Sequence, residues 1–508
     1  MPKTYNSKVM VVGAGFSGIA CAITMRDHFK SDDFVIYDRN EEIGGTWWAN
    51  TYPGCASDVP APFYSLSTDL NPNWSDLTPP QPEMEAYLQK IVEKRGLRKY
   101  IRCRSEVTFL DWDQENYVWR AQVKDLDTGE EFEHVANIVI VGQGLLVFPN
   151  PVNFPGLKDK FKGEWFHTAK WNHNVSLKDK RVVVIGNGCT ATQVVPAIAN
   201  EAKSVTQIVR SKHYIIPRPK ESAFAAFKKF FNRARLLMRI YRTIMFFVME
   251  LKAPLFNGEN PLAKLSRFYF TRSSRNYMKA KAPEKYHDIL LPEYKIGCKR
   301  MILDCGYLES LHRDDVHLVN DQIDHISKRA VHTKDGNSYP ADVIIAATGY
   351  DITKGAMNLP IRGQDKSETI IDRWHREGVS AYETLLLDKC PNLFLSAGPN
   401  SATGHSSVIL AIENGQQFIK KVAAPVIKGD AKSVVVKTEA FDNWRKTLSK
   451  ALEKSVFSTP YGGCSSWYGE GPGGNFLTYP WTQITYWYRT KFPKWNDLTY
   501  VYSDKKSS

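Results

Sequence analysis

The sequence predicts an α/β fold with two Rossmann-like dinucleotide-binding domains and a helical insertion. Two glycine-rich loops support this prediction, VVGAGFSG at 11–18 and VVIGNGCTA at 183–191, since each follows an apolar strand pattern and precedes a helical pattern. A stretch of helix-period apolar and basic residues divides the second unit in two. The expected bounds are 1–146 and 346–508, including the C-terminal tail, for the first cofactor domain, 151–214 and 293–345 for the second, and 215–292 for the insertion.

Length and composition are those of an ordinary globular protein. A chain of 508 residues can bury a large core and should form two or three domains. Its net charge of +13 is not accompanied by a recognisable nucleic-acid-binding module, so we do not expect nucleic acid as a partner. Attraction of an anionic cofactor is a sufficient cause of local basic patches.

The eight cysteines show no pattern of a metal or redox site. No C-x-x-C pair occurs among them, which argues against a zinc ribbon and against a dithiol redox motif. We therefore predict no metal site, and we expect reduced, buried thiols at positions 21, 55, 103, 189, 298, 305, 390 and 464.

The chain shows no targeting or membrane-spanning pattern. Met1 leads into a strand pattern within a few residues, without a long apolar stretch and a small-residue cleavage site. The most apolar stretch outside the nucleotide loops, IMFFVMEL at 244–251, is too short to span a bilayer and contains Glu250. We therefore expect a cytoplasmic protein.

The first glycine loop has the full context of a dinucleotide site. A strand pattern at 8–12 and a helical pattern at 19–29 enclose the loop glycines, which are Gly13, Gly15 and Gly18. Glycines allow the backbone to turn tightly and to approach a pyrophosphate, to which the helix N-terminus offers N–H groups. The next strand pattern ends in Asp38, which is placed to accept a hydrogen bond from a ribose hydroxyl. A glycine turn with a purely structural role is the less favoured alternative.

The second glycine loop differs from the first in the residues that end its next strand. It begins after the strand pattern at 181–185, and Ala191 replaces its third glycine, which this loop type tolerates. The next strand pattern, at 204–209, ends in the basic cluster Arg210-Ser211-Lys212 rather than in an acid. Positive charge at this point favours a 2′-phosphate, and hence NADPH over NADH. The alternative is that these basic residues are ordinary solvated side chains.

The insertion combines helix-period apolar residues with a series of basic residues. The basic residues are Lys228, Lys229, Arg233, Arg235, Arg239 and Arg242. The favoured interpretation is a helix that packs its apolar face and leaves a basic face in solvent. The less favoured interpretation is a basic amphipathic helix that makes peripheral contact with a membrane surface.

The segment FKGEWFHTAKWN, between the two loops, contains a recognisable motif. It resembles the F-x-G-x-x-x-H-x-x-x-W fingerprint of Baeyer–Villiger monooxygenases through Phe161, Gly163, His167 and Trp171. Asn172 replaces the Pro or Asp that closes this fingerprint. The G-G-T-W run at 44–47, the A-T-G run at 347–349 and the segment 393–414 resemble further parts of the same family in the same order. From about residue 8 to about residue 490, the chain is similar to type I Baeyer–Villiger monooxygenases, and most to their filamentous-fungal members.

This resemblance implies FAD as the first cofactor and NADP(H) as the second. It implies that FAD is contacted by Gly13, Gly15, Ser17, Gly18, Asp38, Thr46, Trp47, Trp48, Ala49, Asp58, Tyr64 and Val107. It implies that NADP is contacted by Ala56, Ser57, Gln143, Gly186, Asn187, Gly188, Cys189, Thr190, Gln193, Arg210, Ser211, Lys299 and Arg300. His167 lies in the linker between the two domains, where the resemblance implies a conformational role.

The resemblance also implies the reaction, which inserts one oxygen atom from O2 next to a ketone carbonyl. In this family NADPH reduces FAD, O2 forms a peroxide at flavin C4a, and the peroxide attacks the ketone to give an ester or a lactone. Arg300 matches the catalytic arginine, which stabilises the peroxide anion and the tetrahedral adduct, and Asp58 matches the acid that orients it. The chain contains 13 Trp and 24 Tyr, so we expect a bulky, apolar substrate such as a secondary-metabolite ketone.

Three other functions are compatible with parts of the sequence. The main alternative is a flavin monooxygenase that oxidises nitrogen or sulfur, but that sister family usually carries Tyr or Phe in place of Trp171. A disulfide-type reductase is disfavoured by the missing C-x-x-C pair, and a non-enzymatic protein by the two intact nucleotide loops. The aromatic tail either lines the active-site side or is purely structural, and its rings are Trp467, Tyr468, Tyr479, Trp481, Tyr486, Trp487 and Tyr488.

Overall fold

The structure is a computed structural model that describes residues 3–219, 235–256, 258, 260–458, 462–464 and 472–503. Two sheets with parallel strands at their centres, each covered by helices or by further strands, form the body of the chain, so the α/β prediction is confirmed. Some residues singled out in the sequence lie outside the described residues, namely Lys228, Lys229, Arg233, Trp467 and Tyr468.

The described residues form twenty strands. In chain order these are β1 Thr4–Val12, β2 Phe34–Tyr37, β3 Ile101–Arg102, β4 Ser105–Asp113, β5 Val118–Asp125, β6 Glu131–Val141, β7 Glu164–His167, β8 Arg181–Ile185, β9 Ser204–Ile208, β10 Ile215–Pro217, β11 Ile302–Asp304, β12 Val316–Val319, β13 Ile323–Ile326, β14 Ala330–Thr333, β15 Ser338–Pro340, β16 Val343–Ala346, β17 Ile361–Arg362, β18 Leu393–Leu395, β19 Ala431–Val436 and β20 Leu498–Tyr502.

The helices within the described residues, numbered in chain order, are α1 Phe16–Asp27, α2 Thr46–Ala49, α3 Gln81–Lys94, α4 Cys189–Ile198, α5 Arg235–Glu250, α6 Pro261–Lys281, α7 His287–Leu290, α8 Tyr307–Ser310, α9 Ile352–Ala356, α10 Ile370–Glu377, α11 Val408–Val422, α12 Ala424–Lys428, α13 Thr438–Glu453 and α14 Gln483–Lys491.

The first sheet carries the first glycine loop at the carboxyl end of β1. Its strand order is β17-β4-β5-β6-β1-β2-β3, and β18 also pairs with β6. The long strand β6 pairs antiparallel with β5 through residues 131–136 and then parallel with β18 through residues 139–141. The C-terminal part of the chain therefore completes the sheet that the N-terminal part begins.

The second sheet carries the second glycine loop and is parallel throughout. Its strand order is β12-β9-β8-β16-β7, with β8 at the centre. Parallel strands that are buried on both faces consist of nearly continuous apolar residues, which is the pattern of β8 and β16. A loop at the carboxyl end of a central strand lies where open α/β sheets bind ligands.

Alternate residues of the central strands enter different cores, as the period of two of a strand requires. Val9 and Val11 of β1 lie in one apolar cluster, and Met10 lies in another on the opposite face of the sheet. In the second sheet Val182 and Val183 of β8 are separated in the same way. Because both faces are packed, the loops at the strand ends are held at fixed positions.

The insertion between β10 and β11 contradicts the favoured sequence interpretation of its first helix. On α5 the apolar side chains Leu236 and Phe247 are exposed, as is Leu251 directly after the helix, whereas Arg242 and Glu250 are buried. The expected burial of the apolar face is therefore wrong for α5. Of its predicted basic residues, Arg239 is solvated as expected, whereas Arg242 has a partner in the interior. Among the described residues, no helix combines the length and apolar character needed to cross a bilayer.

We predict that Gly163→Ala destabilises the second domain. A Cβ atom at this position would lie 2.3 Å from the carbonyl oxygen of Asp342 and 2.6 Å from the Phe161 ring, so backbone or ring must shift. Overpacking of this kind lowers the free energy of unfolding by about 1–3 kcal/mol. Thermal unfolding should show a lower Tm.

Gly144→Ala is the matched control for this variant, because a Cβ atom there meets nothing within 4 Å. The Tm of this control should remain at the wild-type value. An equal Tm for the two variants would contradict the close packing described at residue 163.

Candidate active site

An ion pair between distant parts of the chain marks the candidate active site. Arg300 Nε and Nη2 donate to the same carboxylate oxygen of Asp58, at 2.8 Å and 2.5 Å, across 242 residues of sequence. The Arg300 side chain remains 45% exposed and that of Asp58 27% exposed. The pair brings together the two residues expected to be catalytic and leaves the guanidinium accessible from solution.

The ion pair lies between the two nucleotide loops. Burial raises the pKa of the Tyr64 hydroxyl to about 12, and the nearby Asp58 carboxylate adds to this rise. Burial also raises the pKa of the Cys189 thiol to about 11, and the charge of Arg300 opposes the rise. Since Tyr64 belongs to the first domain and Cys189 begins α4 of the second, the charges of the pair act on both.

The first glycine loop is closed by the acid at the end of β2. Asp38 Oδ2 accepts from Ala14 N at 2.6 Å, and Oδ1 accepts from Asn40 N at 2.8 Å. Burial raises the pKa of this carboxyl, while the two backbone N–H groups favour its ionised form. A Cβ atom on Gly18 would lie 2.0 Å from the oxygen of Gly13, so α1 packs closely against the loop that precedes it. The loop, α1 and Asp38 thus form one rigid unit.

The G-G-T-W run packs against this loop. Gly44 N donates to Ala14 O at 3.1 Å, and the run continues into the single turn α2. Within α2, Trp47 is buried, Trp48 is half-buried, and Thr46 and Ala49 are exposed. The Tyr64 ring lies 5.8 Å from that of Trp47. The members of this segment expected to contact the flavin therefore lie beside the first glycine loop.

Val107 is buried at the start of β4, next to the end of β2. The neighbouring Ser105 donates its backbone N–H to Asp38 O at 2.9 Å, which sets β4 against the acid of the loop. Gln143 follows β6 on the other side of β1, and its amide donates to Asn358 Oδ1. Both predicted contact residues therefore lie at the carboxyl edge of the first sheet.

Hydrogen bonds from β9 and from within the loop hold the second glycine loop, and its outer side is open. Gln207 Nε2 donates to Gly186 O at 2.8 Å, and Asn187 Nδ2 donates to Ser211 O at 2.8 Å. A Cβ atom on Gly188 would meet nothing within 4 Å, so the backbone before α4 leaves space for another group. Cys189 and Thr190 form the first turn of α4, whose N–H groups face the same side.

Gln193 joins the second loop to the segment that carries Asp58. Its Oε1 accepts from the Tyr52 hydroxyl at 2.9 Å, and its Nε2 donates to Ala56 O at 3.1 Å. Ser57 is buried, and its backbone N–H donates to Pro79 O at 2.9 Å. These bonds hold residues 52–58 of the first domain against α4 of the second, next to the ion pair.

The basic cluster after β9 lies at the edge of the second loop. Arg210 is exposed, and no described residue forms a salt bridge with it. The Lys299 ammonium lies 5.3 Å from the centre of the Tyr294 ring, and the Tyr294 hydroxyl donates to Lys212 O at 3.0 Å. The strand end and the segment before Arg300 thus meet on one side of the loop, with several positive charges.

The fingerprint residues lie on and beside β7, the edge strand of the second sheet. Phe161 and His167 are buried, while Trp171 is half-buried with its ring 4.9 Å from that of Phe166. Burial lowers the pKa of His167 to about 4, and its Nδ1 accepts from Ala169 N at 3.0 Å. His167 contacts Ala169 and the Tyr350 ring, and neither contact gives it a role in proton transfer.

The aromatic tail divides into buried and exposed rings. Tyr479 and Tyr486 are buried, and the Tyr486 hydroxyl forms a hydrogen bond of 2.7 Å with Thr384. Trp487 and Tyr488 are exposed on α14. Tyr479 and Tyr486 are therefore part of the core of the first domain, while Trp487 and Tyr488 are exposed to solvent.

Sequence reasoning missed a covalent link beside the site. Cys298 and Cys464 form a disulfide across 166 residues, so the expectation of eight reduced thiols is wrong for these two. Cys298 is two residues from Arg300, and Lys295 N also donates to Gly462 O at 3.1 Å. The tail segment 462–464 therefore lies against the segment that presents the arginine. No spacing in the sequence marks two cysteines this far apart as partners.

Both loops fit dinucleotides, as observed contacts indicate. The first offers the N-terminus of α1 and the carboxyl group of Asp38 at the end of β2, which suits the pyrophosphate and ribose of FAD. The second offers the open backbone at Gly188 and the exposed Arg210, which suits the pyrophosphate and 2′-phosphate of NADP. The two sites face each other across the ion pair.

Comparisons with known proteins agree with this geometry. Residues 6–254 match the family model described as flavin-binding monooxygenase-like. The chain is 30% identical to a Baeyer–Villiger monooxygenase of Pseudomonas aeruginosa over 95% of this chain and 89% of that protein. It is also 30% identical to the FAD-binding monooxygenase ktnD of Aspergillus niger, over 96% and 81%. The expected fungal similarity is thus supported in part, since the bacterial relative is equally similar.

Solved structures show the same fold over the whole chain. An oxidised steroid monooxygenase bound to NADP is 25% identical, with a TM-score of 0.82 and coverage of 98% of this chain and all of that one. A closed crystal structure of cyclohexanone monooxygenase is 24% identical, with a TM-score of 0.83 and coverage of 99% and 100%. At 24% identity, the likeness to cyclohexanone monooxygenase shows a shared fold and nothing further.

The disulfide predicts how many thiols the denatured protein will show. Titration with a thiol reagent in denaturant should find six thiols, those of Cys21, Cys55, Cys103, Cys189, Cys305 and Cys390. Prior reduction should raise the number to eight, because the Cys298–Cys464 bond is then opened. The Cys464→Ser variant should show seven thiols without reduction. Eight thiols in the untreated wild-type protein would contradict the link.

Proposed function

Because the chain belongs to the Baeyer–Villiger monooxygenases, we propose that it uses NADPH, FAD and O2 to insert one oxygen atom next to a ketone carbonyl. The balanced reaction consumes the ketone, O2, NADPH and one proton, and it yields an ester or lactone, NADP⁺ and water. The observation that carries the proposal is the Asp58–Arg300 pair between two nucleotide loops, because it holds a permanent cation where both cofactors would meet.

When bound, NADPH would supply two electrons, and FAD would pass them to O2, one atom of which enters the ester or lactone. The role of Arg300 follows from its chemistry, because a guanidinium keeps its charge at any working pH and offers a planar set of N–H donors. Its N–H groups would stabilise negative charge that develops on oxygen during attack on the carbonyl and in the tetrahedral adduct. Preorganised donors of this kind commonly supply the largest share of a rate enhancement.

Asp58 acts as a positioning residue for Arg300. Because Nε and Nη2 both donate to the same oxygen of Asp58, the carboxylate fixes the orientation of the guanidinium, whose side chain remains 45% exposed. The segment carrying Asp58 is in turn held by the Gln193–Ala56 hydrogen bond. The direction of the cation is therefore set by contacts from both domains rather than by the arginine side chain alone.

The surroundings of the pair support an apolar substrate. The rings of Phe16, Trp47 and Tyr64 form a group with centroid distances of 5.7 Å and 5.8 Å around Tyr64. Tyr64 and Cys189, which lie on either side of the pair, are themselves partly withdrawn from water. A bulky, apolar ketone suits such a site, and exclusion of water limits unproductive loss of the activated oxygen.

We predict that Arg300→Gln lowers kcat/KM for a ketone by about 100- to 1,000-fold, because one set of preorganised donors is lost. NADPH oxidation should continue and should yield hydrogen peroxide instead of ester. Chromatography of the ester and a peroxide assay measure the two products. A panel of ketones and one sulfide, given to the wild-type enzyme, tests the substrate class.

Arg120→Gln is the control for this variant, since Arg120 is exposed to a similar extent (43%) and pairs with Asp113 at 3.0 Å in the first domain. It should keep full ester formation. Equal ester yields from Arg300→Gln and wild type would reject the proposed role of Arg300. Oxidation of the sulfide alone by the wild-type enzyme would assign it to heteroatom oxygenation instead.

We predict that Arg210→Gln weakens the preference for NADPH. Loss of a charged hydrogen bond to the 2′-phosphate should raise KM for NADPH about tenfold or more, while KM for NADH changes little. Steady-state oxidation of each nicotinamide measures both constants. Lys203→Gln, at the opposite end of β9, is the control and should leave both constants unchanged. A parallel loss with NADH would mean that Arg210 does not contact the 2′-phosphate.

A further inference from the structure

Helix α5 presents an apolar stripe to solvent. Its exposed apolar side chains recur every three or four residues, the spacing that places them on one face of a helix. Leu251, which follows the helix, is 77% exposed and Leu236 is 67% exposed. The complete stripe consists of Leu236, Ile240, Ile244, Phe247, Val248 and Leu251.

The opposite face of α5 is held in place by buried charges. Arg242 Nη2 donates to Glu413 Oε2 at 2.5 Å, and its Nη1 donates to Pro62 O at 3.2 Å. Glu250 Oε1 forms a hydrogen bond of 2.8 Å with His405 Nε2. Rotation of the helix to bury its apolar stripe would leave these charges without partners in the interior, which is strongly unfavourable. The outward direction of the stripe is therefore built into the fold.

Two neighbouring helices carry further exposed apolar side chains. Glu250 accepts from the backbone N–H groups of Gln483 and Ile484, which places the start of α14 beside the end of α5. Arg267 of α6 donates to Leu255 O, which follows α5. The exposed apolar residues of the two helices and of the turn after α14 are Leu262, Leu265, Phe268, Tyr269, Ile484, Trp487, Tyr488, Phe492 and Trp495.

The charged side chains that α5 and α6 expose to solvent are all positive. Glu250 is the single acidic residue of α5, α6 and α14, and it is buried. The exposed charged residues of α5 and α6 are all basic, and they are Arg239, Lys264, Arg272, Lys279 and Lys281. An apolar stripe with aromatic rings and flanking cations is complementary to an anionic lipid surface.

We propose that the face formed by α5, α6 and α14 binds peripherally to a membrane containing anionic lipid. The apolar side chains enter the boundary between headgroups and acyl chains, and the basic side chains contact the lipid phosphates. Tyr and Trp rings are favoured at this depth because they are apolar with one polar atom. The helices lie in the plane of the membrane and do not cross it. This inference is independent of the proposed oxygenation.

A second copy of the chain fits this face less well. A symmetric dimer brings the same patch of both subunits together, so the basic residues of one copy would face those of the other. Like charges opposed in an interface are unfavourable. Anionic lipid, by contrast, gains attraction from each basic residue near the surface.

Sedimentation with vesicles tests the proposal directly. The full chain with its bound flavin is mixed with vesicles of phosphatidylcholine that contain about 30 mol % phosphatidylglycerol, or with phosphatidylcholine alone. The protein should sediment with the anionic vesicles, and high salt should reduce this binding because it screens the charges. Little binding to phosphatidylcholine alone is expected.

The double variant Phe247→Glu/Leu251→Glu should lower the partition coefficient on anionic vesicles by about tenfold or more, since two apolar contacts are lost and negative charge is added. Leu126→Glu is the matched control, because Leu126 is an exposed leucine in the turn after β5, and it should bind as wild type. Flavin content and NADPH oxidation should be unchanged in all three proteins, which shows that they are folded.

Equal vesicle binding by the double variant and the control would overturn the proposal. So would a wild-type protein that stays in the supernatant with anionic vesicles. Light scattering that finds a wild-type dimer, converted to a monomer by the double variant, would also overturn it and would assign the face to a second copy.

Discussion

The contact between residues 52–58 and α4 is the constraint on which the candidate site depends. Each glycine loop is fixed within its own sheet, but the distance between the loops is set by bonds that cross from one domain to the other. Gln193 makes two of them, to Tyr52 and to Ala56. Two residues beyond Ala56, Asp58 is then close enough to pair with Arg300, which follows the insertion. Without the crossing bonds, two intact nucleotide sites would have no common cation.

The ion pair itself contributes little to stability. With side chains 27% and 45% exposed, Asp58 and Arg300 resemble surface pairs, which are worth about 0–1 kcal/mol. A pair formed across 242 residues also orders two long segments, which costs conformational entropy. Its geometry is better explained by the orientation that it gives to the guanidinium than by a contribution to the free energy of unfolding. The pair holds the guanidinium in one orientation, near the strand ends that lead into the two glycine loops.

Much of this architecture could be predicted from the sequence because it depends on local patterns. Apolar runs that end in glycine loops, and the acid or basic residue at the end of the next strand, identify both dinucleotide units within about 30 residues each. The meeting of Asp58 and Arg300 does not follow from any local pattern, and only resemblance to a family placed them together. The Cys298–Cys464 link was missed for the same physical reason. Pairing across 166 residues is decided by how the tail folds back, not by spacing.

Helix α5 shows the limit of periodicity most clearly. The period of its residues separates an apolar face from a charged face, but it does not say which face is buried. That choice depends on Glu413 and His405, more than 150 residues away in the chain, which supply partners for Arg242 and Glu250. Arg242 also donates to Pro62 O, in the segment that follows Asp58. The helix that carries the apolar stripe therefore also contacts the segment next to the candidate active site. The buried charges of α5 thus order the segment next to the site, while its apolar face remains available to the proposed membrane surface.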